Sequence, residues 1–397
     1  MQFSPKLICF KGISILTLLF MFMLPQYSLA QGDDIRERLD EIERELLDLH
    51  LKQTDKTSVT AFDSMRLDLG GFITQTFTTT FNGDSPDRSS FDQTNFELLM
   101  GADVTDRDSL FIALGFLRQA DLVNEAGLDV EQRKFADHAN RIPGIIMWGR
   151  HDFDELLDVT YGRWITPWGI INREHFPPVL MNLSQPQYLR AVQPGNLFGG
   201  NTIVPNFLDG IQAHGSKYFG DYQAEYFAYV GNFDGSGSGP SDFISGARLM
   251  GALPNRIFTI GFDYQNGVRA VSGAQDSHYD AWGVDALIDY KGFLLKSEYL
   301  RSNERGATGN KESWYIQPSY TRGKFVLFYR WDVIDTNLDT VNDSAEQTEH
   351  VFGVNYFLQP TVRLRAEYVL NRFNLNEDNN GKKRDYDNIQ LSITTSF

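Results

Sequence analysis

The last ten residues, Asn388 to Phe397, alternate without a break. Ile389, Leu391, Ile393, Thr395 and Phe397 fall on one parity, and Asn388, Gln390, Ser392, Thr394 and Ser396 on the other. Successive side chains of a β-strand point to opposite faces, so this segment separates an oily side from a wet one. The same period recurs upstream. Phe258, Ile260, Phe262 and Tyr264 oppose Thr259, Gly261 and Asp263, and Trp282, Val284, Ala286, Ile288 and Tyr290 oppose Asp285 and Asp289. Phe325, Leu327, Tyr329, Trp331 and Val333 oppose Arg330 and Asp332; Val362, Leu364, Ala366 and Tyr368 oppose Arg363, Arg365 and Glu367. A soluble sandwich would alternate in the same way, with its apolar face inside. Charges in mid-strand, such as Arg363 and Arg365, instead fit a wall with water within and lipid without. The fold class this implies is all-β, a transmembrane antiparallel barrel. An aromatic content of 13 %, with 30 Phe and 17 Tyr, fits girdles at the two membrane interfaces.

Residues 1–30 read as an export signal. Lys6 and Lys11 form its positive front, Ile13 to Leu24 its short apolar run, and Ser28-Leu29-Ala30 a cleavage site before Gln31. The single cysteine, Cys9, lies in this segment, which excludes disulfides and cysteine-based metal chemistry from the mature chain. The net charge of −16 becomes more negative by two once the two lysines leave. Such a balance argues against a nucleic-acid partner.

Residues 33–52 carry a heptad seam of Ile35, Leu39, Ile42, Leu46 and Leu49, spaced four, three, four, three, with charged residues on the other faces. A helix this short is marginal alone, so the seam points to self-association, with dimer and trimer both open on packing grounds. An amphipathic helix packed on its own barrel is the alternative. Residues 53–64 read as a polar linker and 65–397 as the barrel.

Within the barrel, tight connections fall near Thr105-Asp108, Asp152-Glu155, Phe219-Asp221, Pro254-Arg256, Lys291-Gly292, Arg322-Gly323 and Gln359-Thr361. Long polar loops fall near 81–91, 119–141, 166–206, 233–243, 267–277, 303–311, 335–346 and 374–384. Together they join about sixteen strands, with fourteen and eighteen left open by the segments near 142–165 and 207–232. Short turns on one side and long loops on the other match an outer-membrane barrel, with the short side and both termini periplasmic.

On the export signal, the sixteen-strand rhythm, the terminal Phe397 and one long third loop, the chain resembles the trimeric porins of Gram-negative outer membranes. The heptad segment before the barrel resembles the phosphate-selective and dicarboxylate-type groups among them. The resemblance implies a homotrimer in outer-membrane lipid and a C-terminal strand read by the barrel-assembly machinery. It also implies a passive, water-filled channel for small polar solutes, with no cofactor. A plugged structural or adhesive barrel is the competing expectation, and an outer-membrane hydrolase a third.

The third loop, 166–206, holds ten prolines and glycines, too many for regular structure, and loops of this length are usually functional or disordered. Its apolar groups, Trp168, Phe176, Leu180, Met181, Leu183 and Tyr188, need a surface to pack on. The inner wall of the barrel offers one, which makes Arg173, Glu174, His175 and Arg190 the candidate constriction residues. An external cap or a latch to a neighbouring subunit is the other placement. The candidate lumen-lining charges are Lys296, Glu298, Arg330, Asp332, Arg363, Arg365 and Glu367, with Glu349 on the same parity. Four of each sign give no ion preference, and cross-strand ion pairs stiffening the wall explain them equally well.

The segment Asp335 to Glu346 spaces its oxygens like an EF-hand loop. Position six, however, is Thr340 where the turn needs Gly, so a solvated loop is expected and no metal. The seven histidines are scattered and no His-Glu-x-x-His or Gly-x-Ser-x-Gly motif occurs, so no catalytic residue is assigned.

Overall fold

The structure, a computed structural model of the 397-residue chain, describes residues 66–83, 88–119, 144–174, 176, 179–189, 203–232, 243–269, 277–305, 309–339, 345–374 and 385–397. The heptad segment 33–52 and its linker lie outside the described residues. Sixteen strands follow in order: β1 (Arg66–Phe81), β2 (Arg88–Asp103), β3 (Asp108–Gln119), β4 (Gly144–Asp154), β5 (Leu157–Ile165), β6 (Phe207–Phe219), β7 (Tyr222–Asn232) and β8 (Ile244–Ala252). The second half comprises β9 (Phe258–Arg269), β10 (Ser277–Tyr290), β11 (Phe293–Arg305), β12 (Lys311–Arg322), β13 (Phe325–Asp335), β14 (Glu346–Gln359), β15 (Val362–Phe373) and β16 (Tyr386–Ser396).

Every strand pairs antiparallel with its neighbours in sequence, and β1 pairs with β16, so the ladder closes on itself. Closure leaves no strand edge, the condition a sheet must meet in hydrocarbon. The seven tight connections fall where the sequence puts them. Four use left-handed backbone: φ is 64° at Gly220, 53° at Arg256, 50° and 80° at Lys291 and Gly292, and 58° at Gly323. Some strands run further than the loop composition suggests: β2 starts at Arg88, β9 reaches Arg269 and β11 reaches Arg305. Polar residues continue the ladder there because main-chain hydrogen bonds hold it. Outward ion pairs such as Arg305 with Asp280 add to them, and the Tyr264 hydroxyl donates to the same Asp280 at 3.1 Å.

The wall is inverted relative to a soluble protein. Ile260, Phe262, Tyr264, Leu327, Trp331, Leu364 and Ile393 are exposed on its outer face, while Asp263, Asp285, Lys296, Glu298, Arg330 and Glu367 are buried within. A sandwich would show the reverse, so the alternation belongs to a barrel that meets lipid. Outward aromatics gather near the strand ends that lead to the long loops. Trp314 and Trp331 cross edge to face with centroids 4.7 Å apart, and the Tyr329 hydroxyl lies 2.8 Å from Nδ1 of His350.

The seam of the barrel is a reciprocal pair of hydrogen bonds. Gly71 N donates to Phe397 O, and Phe397 N to Gly71 O, both at 3.0 Å. A Cβ at Gly71 would strike the carbonyl of Glu97 and the Phe397 ring. That ring stacks against Phe96 at 6.3 Å, so the missing side chain of Gly71 makes its berth.

Candidate functional site

The loop between β5 and β6 turns inward. Thr166 N donates to Asn206 O at 2.9 Å and closes its neck, and the Asn172 amide donates to Thr166 O at 2.7 Å. Gly169, at φ +61°, swings the chain against the wall, where any Cβ would meet the Glu298 carboxylate. Its amide donates to Asp263 on β9 at 3.3 Å. The next two amides, of Ile170 and Ile171, donate to Oε1 of Glu298 at 2.7 and 2.9 Å, just ahead of a 3-10 turn at Asn172–Glu174. A carboxylate on the free amides of a turn is the usual answer to unsatisfied donors. Here a strand of the wall supplies it.

Further anchors follow around the inner face. Leu180 O accepts from Arg363 at 3.0 Å and Arg365 at 3.3 Å on β15. Met181 O accepts from the Asn355 amide on β14 at 3.1 Å. Glu367 accepts from Leu183 N, Ser184 N and the Ser184 hydroxyl. Arg330 on β13 donates to Ser184 O at 2.6 Å and also binds Glu349 at 2.6 Å. Asp332 accepts from Gln187 N at 2.8 Å. Finally the Tyr188 hydroxyl donates to Oε2 of Glu298 at 2.5 Å, and the Tyr315 hydroxyl to Oε1 at 2.6 Å. Burial, then the Glu298 carboxylate, push the Tyr188 hydroxyl well above its ordinary pKa, so it remains a neutral donor.

Apolar packing supports these bonds. Trp168, Ile171, Leu180 and Tyr188 of the loop form one buried cluster with Leu300, Tyr315 and Ile334 of the wall. At the tip, Phe176 meets Phe72 of β1 edge to face at 6.4 Å. The described loop residues therefore reach from β9 around to β1, inside the barrel.

Two of the four constriction candidates are described. Glu174 forms an ion pair with Lys296 on β11. Arg173 points to β7, 3.5 Å from Glu225 and over the Phe227 ring at 5.3 Å. His175 and Arg190 lie outside the described residues. All seven candidate lumen-lining residues sit on the inner face and are buried. Lys296 is paired with Glu174 of the loop, and the other six contact its main chain or Tyr188. Three of them also bind the wall, Arg330 through Glu349, Arg365 through Ser392 and Thr394, and Glu298 through Tyr315.

Several charged groups on the inner face carry no sequence signal of their own. Arg248 on β8 lies between Asp263 at 2.5 Å and Asp285 at 2.7 Å, fully buried. His214 on β6 sits between Asp158, 2.6 Å from Nδ1, and Glu225, 3.1 Å from Nε2. Parity places these groups inside, and their partners come from the strands beside them: Asp263 on β9 and Asp285 on β10, Asp158 on β5 and Glu225 on β7. Among the described residues no cluster of His, Cys, Asp or Glu is arranged to hold a metal, and residues 340–344 of the EF-hand-like segment lie outside them.

Solved structures give the fold its class. The anion-selective porin from Comamonas acidovorans superposes with a TM-score of 0.60 at 13 % identity, covering 84 % of this chain and 100 % of that one. OmpF of Salmonella typhi, in complex with daunomycin, gives 0.58 at 16 % identity over 84 % and 98 %. The outer membrane channel DcaP of Acinetobacter baumannii gives 0.55 at 11 % identity over 84 % and 98 %. The chain thus has the barrel fold of outer-membrane porins. No family model and no curated protein matches the sequence.

Proposed function

We propose that the chain is an outer-membrane porin that passes small polar solutes by passive diffusion, with the third loop forming its constriction. The observation that carries this reading is the contrast in exposure on the inner face. The loop's anchors on β9 to β15 are buried. By contrast Arg173 keeps 36 % of its side chain exposed, and Arg150 and Asp152, on the inner face of β4, keep 39 % and 46 %. These charges lie toward the tight-turn ends of β4 and β7, so the water reaching them supports an open vestibule on that side of the loop, with selectivity set by width and local charge. Elsewhere on the same wall Ala113, Ile146, Trp164 and Leu208 are buried. Two of the structures with this fold bear the words porin and channel in their names.

In this reading the short turns and both termini face the periplasm, and the heptad segment holds copies together there, as a trimer. The terminal strand is what the assembly machinery reads. No residue is assigned to catalysis. The test is purified protein in a planar lipid bilayer. Stepwise open-channel current supports the porin, and a folded, inserted barrel that carries none supports the plugged one.

A further inference from the structure

The outer face carries a concavity that the channel does not use. It lies on β6 to β9, near the tight turns, and encloses about 700 Å³. Cross-strand register explains its shape. One row of outward positions runs Lys217, Ala224, Gly251, Ile260, each directly paired with the next. The row on its loop side runs Gly215, Tyr226, Leu249, Phe262. Large groups therefore wall a floor made of Ala224 and Gly251, and a Cβ built on Gly251 meets nothing within 4 Å. Tyr226 lies flat over Gly215 and donates its hydroxyl to Leu156 O at 2.5 Å. That bond holds one wall in place. Phe219 borders the trough on the turn side, and the Lys217 ammonium stands 5.7 Å from its ring centroid, at one end.

We propose that this trough holds one acyl chain of a glycerophospholipid of the periplasmic leaflet, with the lipid's phosphate on Lys217. The inference rests on the membrane placement given above, in which the tight turns face the periplasm. From Lys217 to Ile260 the row crosses three strand spacings, roughly 14 Å, a length suited to an extended hydrocarbon segment. Lipid already surrounds the wall, so removal from water does not select for the trough. What selects is close packing of the chain against walls a flat surface lacks. Lys217 adds the specificity for a headgroup: two residues from the end of β6, it reaches the interface, where long basic side chains meet phosphate. A second copy of the chain is the less suitable occupant. In the closed ring β8 lies nearly opposite β1, the strand that follows the heptad segment.

The test is native mass spectrometry of the full chain, released from detergent after incubation with phosphatidylglycerol or phosphatidylethanolamine. Wild type is expected to retain phospholipid. Gly251→Leu, whose Cβ meets nothing within 4 Å and whose side chain fills the floor, is expected to lose it, and Lys217→Gln to weaken retention of both lipids. Ala224→Val provides a second filled floor if Gly251→Leu does not give a heat-modifiable barrel. Retention in a folded filled variant equal to wild type overturns the proposal. So does a change of oligomeric state on native gels, which assigns the trough to a contact between copies. Bilayer current is recorded on the same samples: a wild type that binds lipid but carries no current counts against the porin reading alone.

Discussion

Tyr188, on the inward loop, and Glu298, on β11, share a 2.5 Å hydrogen bond in the barrel interior. Glu298 takes three more donors, from Ile170 N, Ile171 N and Tyr315. One carboxylate thus gathers both ends of the loop's buried stretch.

Glu298→Ala removes all four acceptor contacts at once. A hydrogen bond to a charged group contributes about 1.5–3 kcal/mol, and buried donors left without a partner add their own cost. The loop is expected to leave the wall while the closed ladder keeps the barrel folded. Single-channel conductance should rise and protease should nick within 166–206. Unchanged conductance with an intact loop would show that Glu298 does not hold it.

Raising the pH gives an independent handle on the same contact. The docked Tyr188 hydroxyl has a raised pKa, so docking favours the protonated phenol. Its contribution is complete below about pH 10, the ordinary tyrosine value, and is lost as pH climbs through the higher docked value. Protease sensitivity of the loop should therefore stay flat through neutral pH and increase only in strong alkali. Tyr188→Phe should flatten that alkaline increase; an identical profile in the variant would remove Tyr188 from the account.

Arg330 holds Ser184 of the loop and Glu349 of the wall with no exposed surface. Removing one member of a buried ion pair costs about 3–5 kcal/mol, because the other charge stays behind. Arg330→Met should lower the temperature at which the barrel shifts on a heat-modifiability gel. Adding Glu349→Gln should recover part of the loss. A double variant no better than the single one would argue against the pair as the source.

Gly71→Leu tests the seam. Its side chain collides with the Glu97 carbonyl and the Phe397 ring, so folded barrel in the outer membrane should fall, and deleting Phe397 should lower it likewise. Normal levels of heat-modifiable protein would show that the seam yields at little cost.

Much of the barrel was legible because period-two patterning records which side chain faces water. The parity of Phe258 to Tyr264 and of Val362 to Tyr368 put the right residues on each face, and the turn residues from Thr105 to Thr361 marked the short side. Trp168, Leu180 and Tyr188 needed a surface, but sequence alone left the inner wall and an outer cap or latch both open. What the sequence does not carry is the pairing of charges. Glu298 and Arg330 read as lumen-lining groups by parity, yet among their partners are the main-chain amides of Ile170 and Ile171, 128 and 127 positions away, and the carbonyl of Ser184, 146 positions away, and backbone groups leave no residue-type signal. Arg248 differs, since Asp263 and Asp285 meet it through their side chains; parity puts all three inside but does not say which charges meet.

If solutes pass Arg173 inside an open barrel, Arg173→Cys will show it. Residues 65–397 contain no cysteine; the chain's single one is Cys9. Single-channel current through Arg173→Cys is recorded in a planar bilayer before and after a bulky charged thiol reagent. The account expects stepwise current that the reagent reduces and a reductant restores. No current before the reagent, or current indifferent to a confirmed modification, would contradict it.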